Sequence, residues 1–510
     1  MSRRSRCFRA AWCNLKSVRE RVGPERWLVA IFVSAALLLG ISLLTRPINH
    51  DEGQYVGAIA LMRSGLPYRD FAYLQTPLQP LLLAPLSFLS AGWLLVGARV
   101  ANALFGWLSL ALLLFGLRGR TPPWAAIAAV VALACTDVFL FGCSVARNDA
   151  LPMMLLSAAV ALLLQPHTLG KWSYLTAGLL LGLAASAKIS FALPAAGAGL
   201  FLLSQWREAG WRPILLFAAG GMAGLLPIAV MAMLAPEQFY FSVFTYSLEA
   251  PQQWWASVDH ARLLRPGHKL NDLLKYSLPG SILPGILAGA LDRRRVPQMI
   301  LLDCMIIGGL VAAYLPDPAF RQYLVPLLPP LFARLAITLG HLQPKSRRAL
   351  LFCLGALSIV GLSTTAANIR TSWRDGSELV RAVAIGSAVA DLTRGGSVAT
   401  LAPELVAGSN VHLDRRFVTG PLLFRTEGAL AREALRLGYS LNWQSVQLLR
   451  NDIPSAIVLG TEGEARPPMH PQGLDWYLER WARGRNYSEH KLAGGISLFL
   501  APNIPDTSPQ

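Results

Sequence analysis

The chain has 510 residues, 54% of them hydrophobic and only 15% charged. Soluble domains carry about 25% charged residues, which excludes an ordinary water-soluble enzyme. The net charge of +17 therefore calls for a membrane explanation, with basic residues flanking apolar spans, rather than nucleic-acid binding.

Residues 1–26 hold Arg3, Arg4, Arg6, Arg9, Lys16, Arg19, Arg21 and Arg26, a basic tail expected on the cytoplasmic side. The apolar run 27–44 reads as an uncleaved first span, because no small-residue cleavage site precedes Thr45-Arg46-Pro47. A long first outer loop, 45–97, follows. Its apolar part 78–96 contains Pro80 and Pro85 and reads as interfacial or re-entrant. Further spans are expected at 98–116, 123–141, 150–165, 172–187, 190–204, 213–234, 273–290, 298–315, 322–340 and 349–367, about eleven in all. That count leaves Arg118 and Arg120, Lys171, Arg207 and Arg212, Arg293 to Arg295, and Lys345, Arg347 and Arg348 in inside loops. Counting 78–96 as a span would put those clusters outside, against the positive-inside rule.

After residue 367 the composition changes. Amphipathic helices are predicted at Ser377–Leu392, Glu427–Leu437 and Gly473–Arg483, with strands at Ser397–Leu401, Ala456–Leu459 and Ile496–Leu500. The expected architecture is mainly α: a membrane helical bundle over 27–367, then a small soluble α/β domain over 368–510 outside the cytoplasm. Six cysteines form no disulfide framework. Cys7 and Cys13 lie in the tail, Cys135, Cys143, Cys304 and Cys353 in apolar runs.

The chemistry concentrates at the outer ends of spans. Asp51 and Glu52 follow the first span, and Arg147-Asn148-Asp149 precedes the fourth. Each acid alone reads equally well as a helix cap or boundary ion pair. Together on one side of the membrane, Asp51, Glu52 and Asp149 form a candidate catalytic set. Lys188 and Arg321 sit at outer span ends, where a basic residue either snorkels or pairs with a lipid phosphate. The loop 235–272 adds Trp254, Trp255, His260, Arg262, His268 and Lys269. There is no Gly-rich phosphate loop, HExxH, CxxC or nucleophile elbow, which argues against ATP-driven transport and common metalloproteases.

Asp51-Glu52-Gly53-Gln54-Tyr55, continued by Arg63 to Phe71 and Thr76-Pro77-Leu78-Gln79-Pro80, resembles the opening of the integral-membrane GT-C glycosyltransferases. The nearest groups are the protein O-mannosyltransferase superfamily (glycosyltransferase family 39-like) and the aminoarabinose (lipid A) transferases. Arg147-Asn148-Asp149, Ala187-Lys188 and Arg321-Gln322-Tyr323-Leu324 resemble later segments of that family. The chain departs from it at Gln75-Thr76-Pro77, where many members have a Lys, and at Gln322.

The resemblance implies transfer of a hexosyl or pentosyl group from a polyprenyl-phosphate donor. The acceptor would be a lipid, glycan or protein hydroxyl at the outer face of the inner (cytoplasmic) membrane. Asp51 then maps to the acceptor-activating base. Tyr55, Arg147, Lys188, His260, Arg262, His268, Lys269, Arg321 and Tyr323 are the expected substrate-binding residues. No nucleotide diphosphate, metal site or cofactor is called for, and membrane lipids but no nucleic acid are expected as partners. The rival reading is a secondary transporter or lipid flippase. A transporter would be expected to carry inverted repeats and mid-membrane charges, whereas the notable acids here stand at span ends.

Overall fold

The structure, a computed structural model, describes residues 24–502 apart from 167, 169, 258–259 and 464–471. The basic tail, with Cys7 and Cys13, lies outside the described residues up to residue 23. The chain is mainly helical, with one small sheet towards its C-terminal end.

The helices that matter here are α1 (Pro24–Thr45), α2 (Glu52–Leu61), α3 (Trp93–Gly116), α4 (Pro123–Ala134), α5 (Asp137–Ser144), α6 (Ala150–Leu164) and α7 (Trp172–Ala187). They continue as α8 (Ala192–Ser204), α9 (Trp211–Gly224), α10 (Leu226–Leu234), α11 (Ile282–Leu291), α12 (Pro297–Tyr314), α13 (Leu328–His341) and α14 (Pro344–Asp375). Helices occupy every predicted apolar run. Among the described residues, five are long and apolar enough to cross a membrane, or up to seven if the bent pairs α4–α5 and α9–α10 each count as one span. Several others, such as α6, α7 and α11, are apolar but shorter.

Three runs expected to be continuous are broken, one of them 213–234, which bends by 42° between α9 and α10. The run 123–141 bends by 63° between α4 and α5. There Thr136 Oγ1 donates to Ala132 O at 2.9 Å, and the Asp137 N–H turns to Pro279 O at 3.1 Å instead of continuing the helical ladder. The run 273–290 splits at Pro279-Gly280, where Gly280 takes φ +127°, a conformation open to glycine. The segment 78–96 forms a short helix, Leu78–Leu83, that tightens into a 3₁₀ turn ending at Phe88 before α3 begins at Trp93.

Close approach binds α7 to α9. Gly178 and Gly182 face Gly220 and Gly224, and a Cβ at any of the four would collide with backbone of the other helix. This is the small-xxx-small packing of membrane helices, where dispersion at short range replaces the hydrophobic effect. Elsewhere the bundle turns apolar side chains outward: Phe352 on α14 is 80% exposed, as a lipid-facing surface requires.

Beyond α14, α15 (Glu378–Thr393) leads into a five-stranded sheet of β1 (Ser397–Thr400), β2 (His412–Leu413), β3 (Ala456–Leu459), β4 (Ser488–Lys491) and β5 (Ser497–Leu500), in the order β2-β1-β3-β5-β4. β1 pairs in parallel with β2 and β3, while β5 runs antiparallel to β3 and β4. The three predicted strands and three predicted helices are all present. β2 and β4 escape the sequence pattern because one has two residues and the other is the polar edge strand Ser-Glu-His-Lys.

This C-terminal domain presses directly on α2. A Cβ at Gly53 would lie 2.6 Å from Glu404 Oε2, and one at Gly57 would lie 2.7 Å from Val418 O. Tyr246 donates to Leu422 O at 2.9 Å, and Arg425 lies over the Trp254 ring at 4.5 Å. The segment 235–272 thus packs against the C-terminal domain through Tyr246 and Trp254.

Candidate active site

Asp51 stands at the N-terminus of α2, yet its side chain makes no capping hydrogen bond there. Instead one oxygen pairs with Arg147 Nη1 and the other with His50 Nε2 at 3.1 Å. It keeps 24% of its side chain exposed. Burial alone would raise this carboxyl, but the Arg147 guanidinium and the His50 hydrogen bond hold it well below the usual carboxylate range.

Arg147 bridges two acids. Its Nε reaches Asp149 Oδ2 at 3.3 Å, and Asp149 also takes the Lys188 ammonium. Lys188 in turn lies over the Tyr323 ring at 5.6 Å. Tyr55 donates to Asn148 Oδ1 at 3.0 Å and offers its ring to Arg147 at 6.0 Å. The structure thus brings Asp51, Tyr55, Arg147, Asp149, Lys188 and Tyr323 into one network. Gln75, at the departure from the family pattern, accepts from Asn148 Nδ2 at 3.2 Å, so the substituted position borders this network.

Glu52, although adjacent to Asp51, turns inward and is fully buried. Arg99 grips both its oxygens at 2.6 and 2.9 Å, and the backbone N–H groups of Asn49 and Ala146 add two further bonds at 2.8 and 2.6 Å. Three of the four bonds tie the first loop to α3 and to the second acidic loop, and the one from Asn49 closes the loop on itself. Glu52 is therefore placed to position Asp51 and Arg147 rather than to touch a substrate.

The basic loop residues part company with the site. Lys269 is buried against Asp317 at 2.6 Å and the Tyr314 ring at 4.9 Å. His260, Arg262 and His268 are exposed on the 235–272 segment, His260 beside the Trp255 ring at 6.0 Å. None of the four joins the Asp51–Asp149 network. Arg321 lies next to that network: it donates to Asp137 Oδ2 at 3.2 Å and covers the Phe141 ring at 3.8 Å.

Phe141 and Asp137 were not singled out from the sequence, nor was Arg46. All three sit together. The guanidinium groups of Arg46, Arg147 and Arg321 surround one Phe141 ring at 5.5, 5.9 and 3.8 Å. Arg46 is 4% exposed, and burial brings it down to about 10. Its Nη2 meets Asp137 Oδ1 in an ion pair at 3.5 Å, and neither Nε nor Nη2 makes a hydrogen bond. Those two nitrogens form one edge of the guanidinium fork, the edge that engages an oxyanion through two parallel bonds. The signal was present in the sequence: Asp137 is an acid inside an apolar run, and ionisable residues at membrane depth default to function.

Among the described residues no three of His, Cys, Asp or Glu converge as a metal set.

Residues 73–318 match the family model of glycosyltransferase family 87. No protein of curated function matches the sequence. Among solved structures, ArnT from Cupriavidus metallidurans bound to undecaprenyl phosphate aligns with a TM-score of 0.58 at 16% identity, covering 96% of this chain and 100% of that one. The apo form of the same protein aligns at 0.56 and 17% identity, covering 94% and 98%. The apo oligosaccharyltransferase of Archaeoglobus fulgidus aligns at 0.48 and 12% identity, covering 86% and 70%. The chain has the GT-C glycosyltransferase fold, a multi-pass membrane bundle with an appended α/β domain.

Proposed function

We propose that this protein transfers a sugar from a polyprenyl-phosphate donor to a hydroxyl acceptor at the outer face of the cytoplasmic membrane. The observation that carries the reading is the buried fork edge of Arg46, which makes no hydrogen bond and meets only Asp137 at 3.5 Å, beside Arg321 and Arg147 around the Phe141 ring. A buried guanidinium with open donors calls for an anion, and a phosphate at the end of the first span is the anion a lipid-linked sugar would bring. The ArnT structure with undecaprenyl phosphate supports the same donor class.

In this reading Arg46 and Arg321 hold the phosphate, which departs with the polyprenyl chain. The acceptor oxygen forms the new bond at the anomeric carbon as the bond to phosphate oxygen breaks, and one displacement inverts that centre. Asp51 takes the hydroxyl proton. Held ionised by Arg147, Asp51 is a weak ground-state base, so the proton moves as bond formation acidifies the hydroxyl. Asp149 and Lys188 keep Arg147 in place. The bundle has its N-terminus inside and residues 368–510 outside.

The test is incubation of the purified full chain with polyprenyl-phosphate sugars and a membrane lipid extract. Sugar transfer is expected. Solute uptake without transfer across the donor panel would replace this reading by the transporter one. A cytoplasmic reporter fused at Gly395 should be inactive, and an active one overturns the orientation.

A further inference from the structure

At the end of α14 away from the C-terminal domain, the last turns of α11 and α13 and the first turns of α14 leave a cleft of about 600 Å³ between them. Its polar lining includes Arg293, Arg294, Gln343 and Ser346, and its apolar lining Leu287, Leu291 and Leu350. Near the other end of α14, Ser372 donates to Thr45 O at 3.1 Å, next to Arg46 in the chain. From Ser346 to Ser372 the helix rises about 40 Å at 1.5 Å per residue. The cleft therefore lies a membrane's thickness from the phosphate network and takes no part in it.

Charge sorts the residues around it. Asp292, the one carboxylate among the lining residues, accepts from Arg294 at 2.8 Å, from Arg334 at 3.1 Å and from Thr338 at 3.0 Å. Arg334 also pairs with Asp303. Two carboxylates and two guanidinium groups thus balance within the wall. Arg293 is left over: it is exposed and, among the described residues, forms no ion pair or hydrogen bond. Lys345 and Arg348 stand exposed on the first turns of α14 and add to the positive charge of this face. The apolar wall opens outward, with Leu287 53% and Leu291 79% exposed.

We propose that this cleft seats one anionic phospholipid of the leaflet on that face. Its phosphate would meet Arg293 with Gln343 and Ser346, and an acyl chain would cover Leu287, Leu291 and Leu350. The two halves of the lining demand an anion and a hydrocarbon chain side by side, at the depth where a bilayer presents both. An anionic lipid satisfies the leftover guanidinium better than a zwitterionic one, whose own ammonium offsets its phosphate. In the orientation proposed above the face is cytoplasmic, where anionic lipids gather basic residues at helix ends. The lipid would bridge three helices and, by binding the folded chain alone, stabilise it. The site is separate from the transfer reading and does not depend on it.

The experiment is native mass spectrometry of the full chain in detergent, titrated with dioleoyl phosphatidylglycerol, dioleoyl phosphatidylcholine and undecaprenyl phosphate. Phosphatidylglycerol should fill one site more tightly than phosphatidylcholine does. Arg293→Gln, which removes an unpaired charge, and Ser346→Glu, which puts a carboxylate into the cleft, should each weaken that site about fivefold, the contribution of one basic residue at an anionic surface. Arg212→Gln, an exposed basic residue on α9, should leave it unchanged, and all three variants should bind undecaprenyl phosphate as the wild type does. Equal binding of the two phospholipids, or unchanged phosphatidylglycerol binding in both folded cleft variants, overturns the site. An equal loss in Arg212→Gln would reduce the effect to net charge and overturn it as well. Loss of undecaprenyl phosphate binding in Arg293→Gln would make the cleft a donor site and overturn the phospholipid as its occupant.

Discussion

Two carboxylate–guanidinium clusters lie in this bundle, and they differ in one respect. In the middle of α13, Arg334 is fully buried and every nitrogen of its fork is used. It meets Asp303 at 2.9 Å, Asp292 at 3.1 Å, Gly289 O at 3.4 Å, and Thr338. At the first loop, Arg46 is almost as deeply buried but makes no hydrogen bond through Nε or Nη2, its Nη2 meeting Asp137 only at 3.5 Å, and Asp51 keeps a quarter of its surface. Both clusters satisfy the demand that buried charges be paired. Only the second has donors and an acceptor left over. Saturation, rather than burial or charge count, separates the structural cluster from the one placed to bind.

The largest effect should come from Asp51→Asn. It keeps size and hydrogen bonding but removes the base, so turnover should fall by about 10²- to 10⁴-fold, a loss beyond the drop in stability from its ion pair with Arg147. Retained turnover in a folded variant would break the comparison at its functional end.

Arg334→Ala should do the reverse. Among the described residues it takes one of two arginines from Asp292, which keeps Arg294 at 2.8 Å, and the only arginine from Asp303, and losing hydrogen bonds between charged groups costs about 1.5–3 kcal/mol. Denaturation of the full chain in detergent should show the loss, with turnover per folded molecule preserved. A catalytic defect at unchanged stability would mean that the saturated cluster also serves the reaction.

Arg46→Gln tests the open fork directly. Loss of a bidentate contact to phosphate should raise the donor KM on the order of tenfold to a hundredfold, with acceptor KM unmoved and partial rescue by Arg46→Lys. An unchanged donor KM would make Arg46 a second structural arginine, paired with Asp137 alone.

Much of this was legible in the sequence, and the failures have physical causes. Runs of apolar residues placed a helix at every expected position, and the first-loop motif led to Asp51, Arg147, Asp149 and Lys188, which meet in space. Periodicity carried no information on the 63° bend at Thr136, which depends on a side-chain bond to Ala132 and a backbone bond to Pro279. That bend is what carries Asp137 and Phe141 to the arginines. Glu52 looked like a second catalytic acid because adjacency in sequence hides direction: α2 turns it towards Arg99 and away from Asp51. The expectation that acids stand only at span ends was also incomplete, since Asp303 lies within α12 and pairs with Arg334 inside α13. The basic residues at 260–269 were grouped by proximity in the chain, whereas Lys269 folds onto Asp317.

The smallest effect expected is one of sign. Asp51 and Glu404 border the same loop but are displaced in opposite directions. Asp51, held low, contributes stability above the ordinary aspartate range and loses it only in strong acid. Glu404, held high mainly by burial, behaves oppositely. The folded protein keeps a proton that the unfolded chain releases from about pH 4.5 upward, so its contribution is complete below that pH and fades as the pH rises towards the folded value. Glu404→Gln has no proton to lose. The stability of the wild type relative to this variant should therefore decline between pH 5 and pH 9, by thermal unfolding of the full chain at a series of pH values. A difference that stays flat would mean that Glu404 is ionised and satisfied in the folded state. The Glu404 carboxyl, enclosed against Gly53, would then resemble the saturated Arg334 cluster.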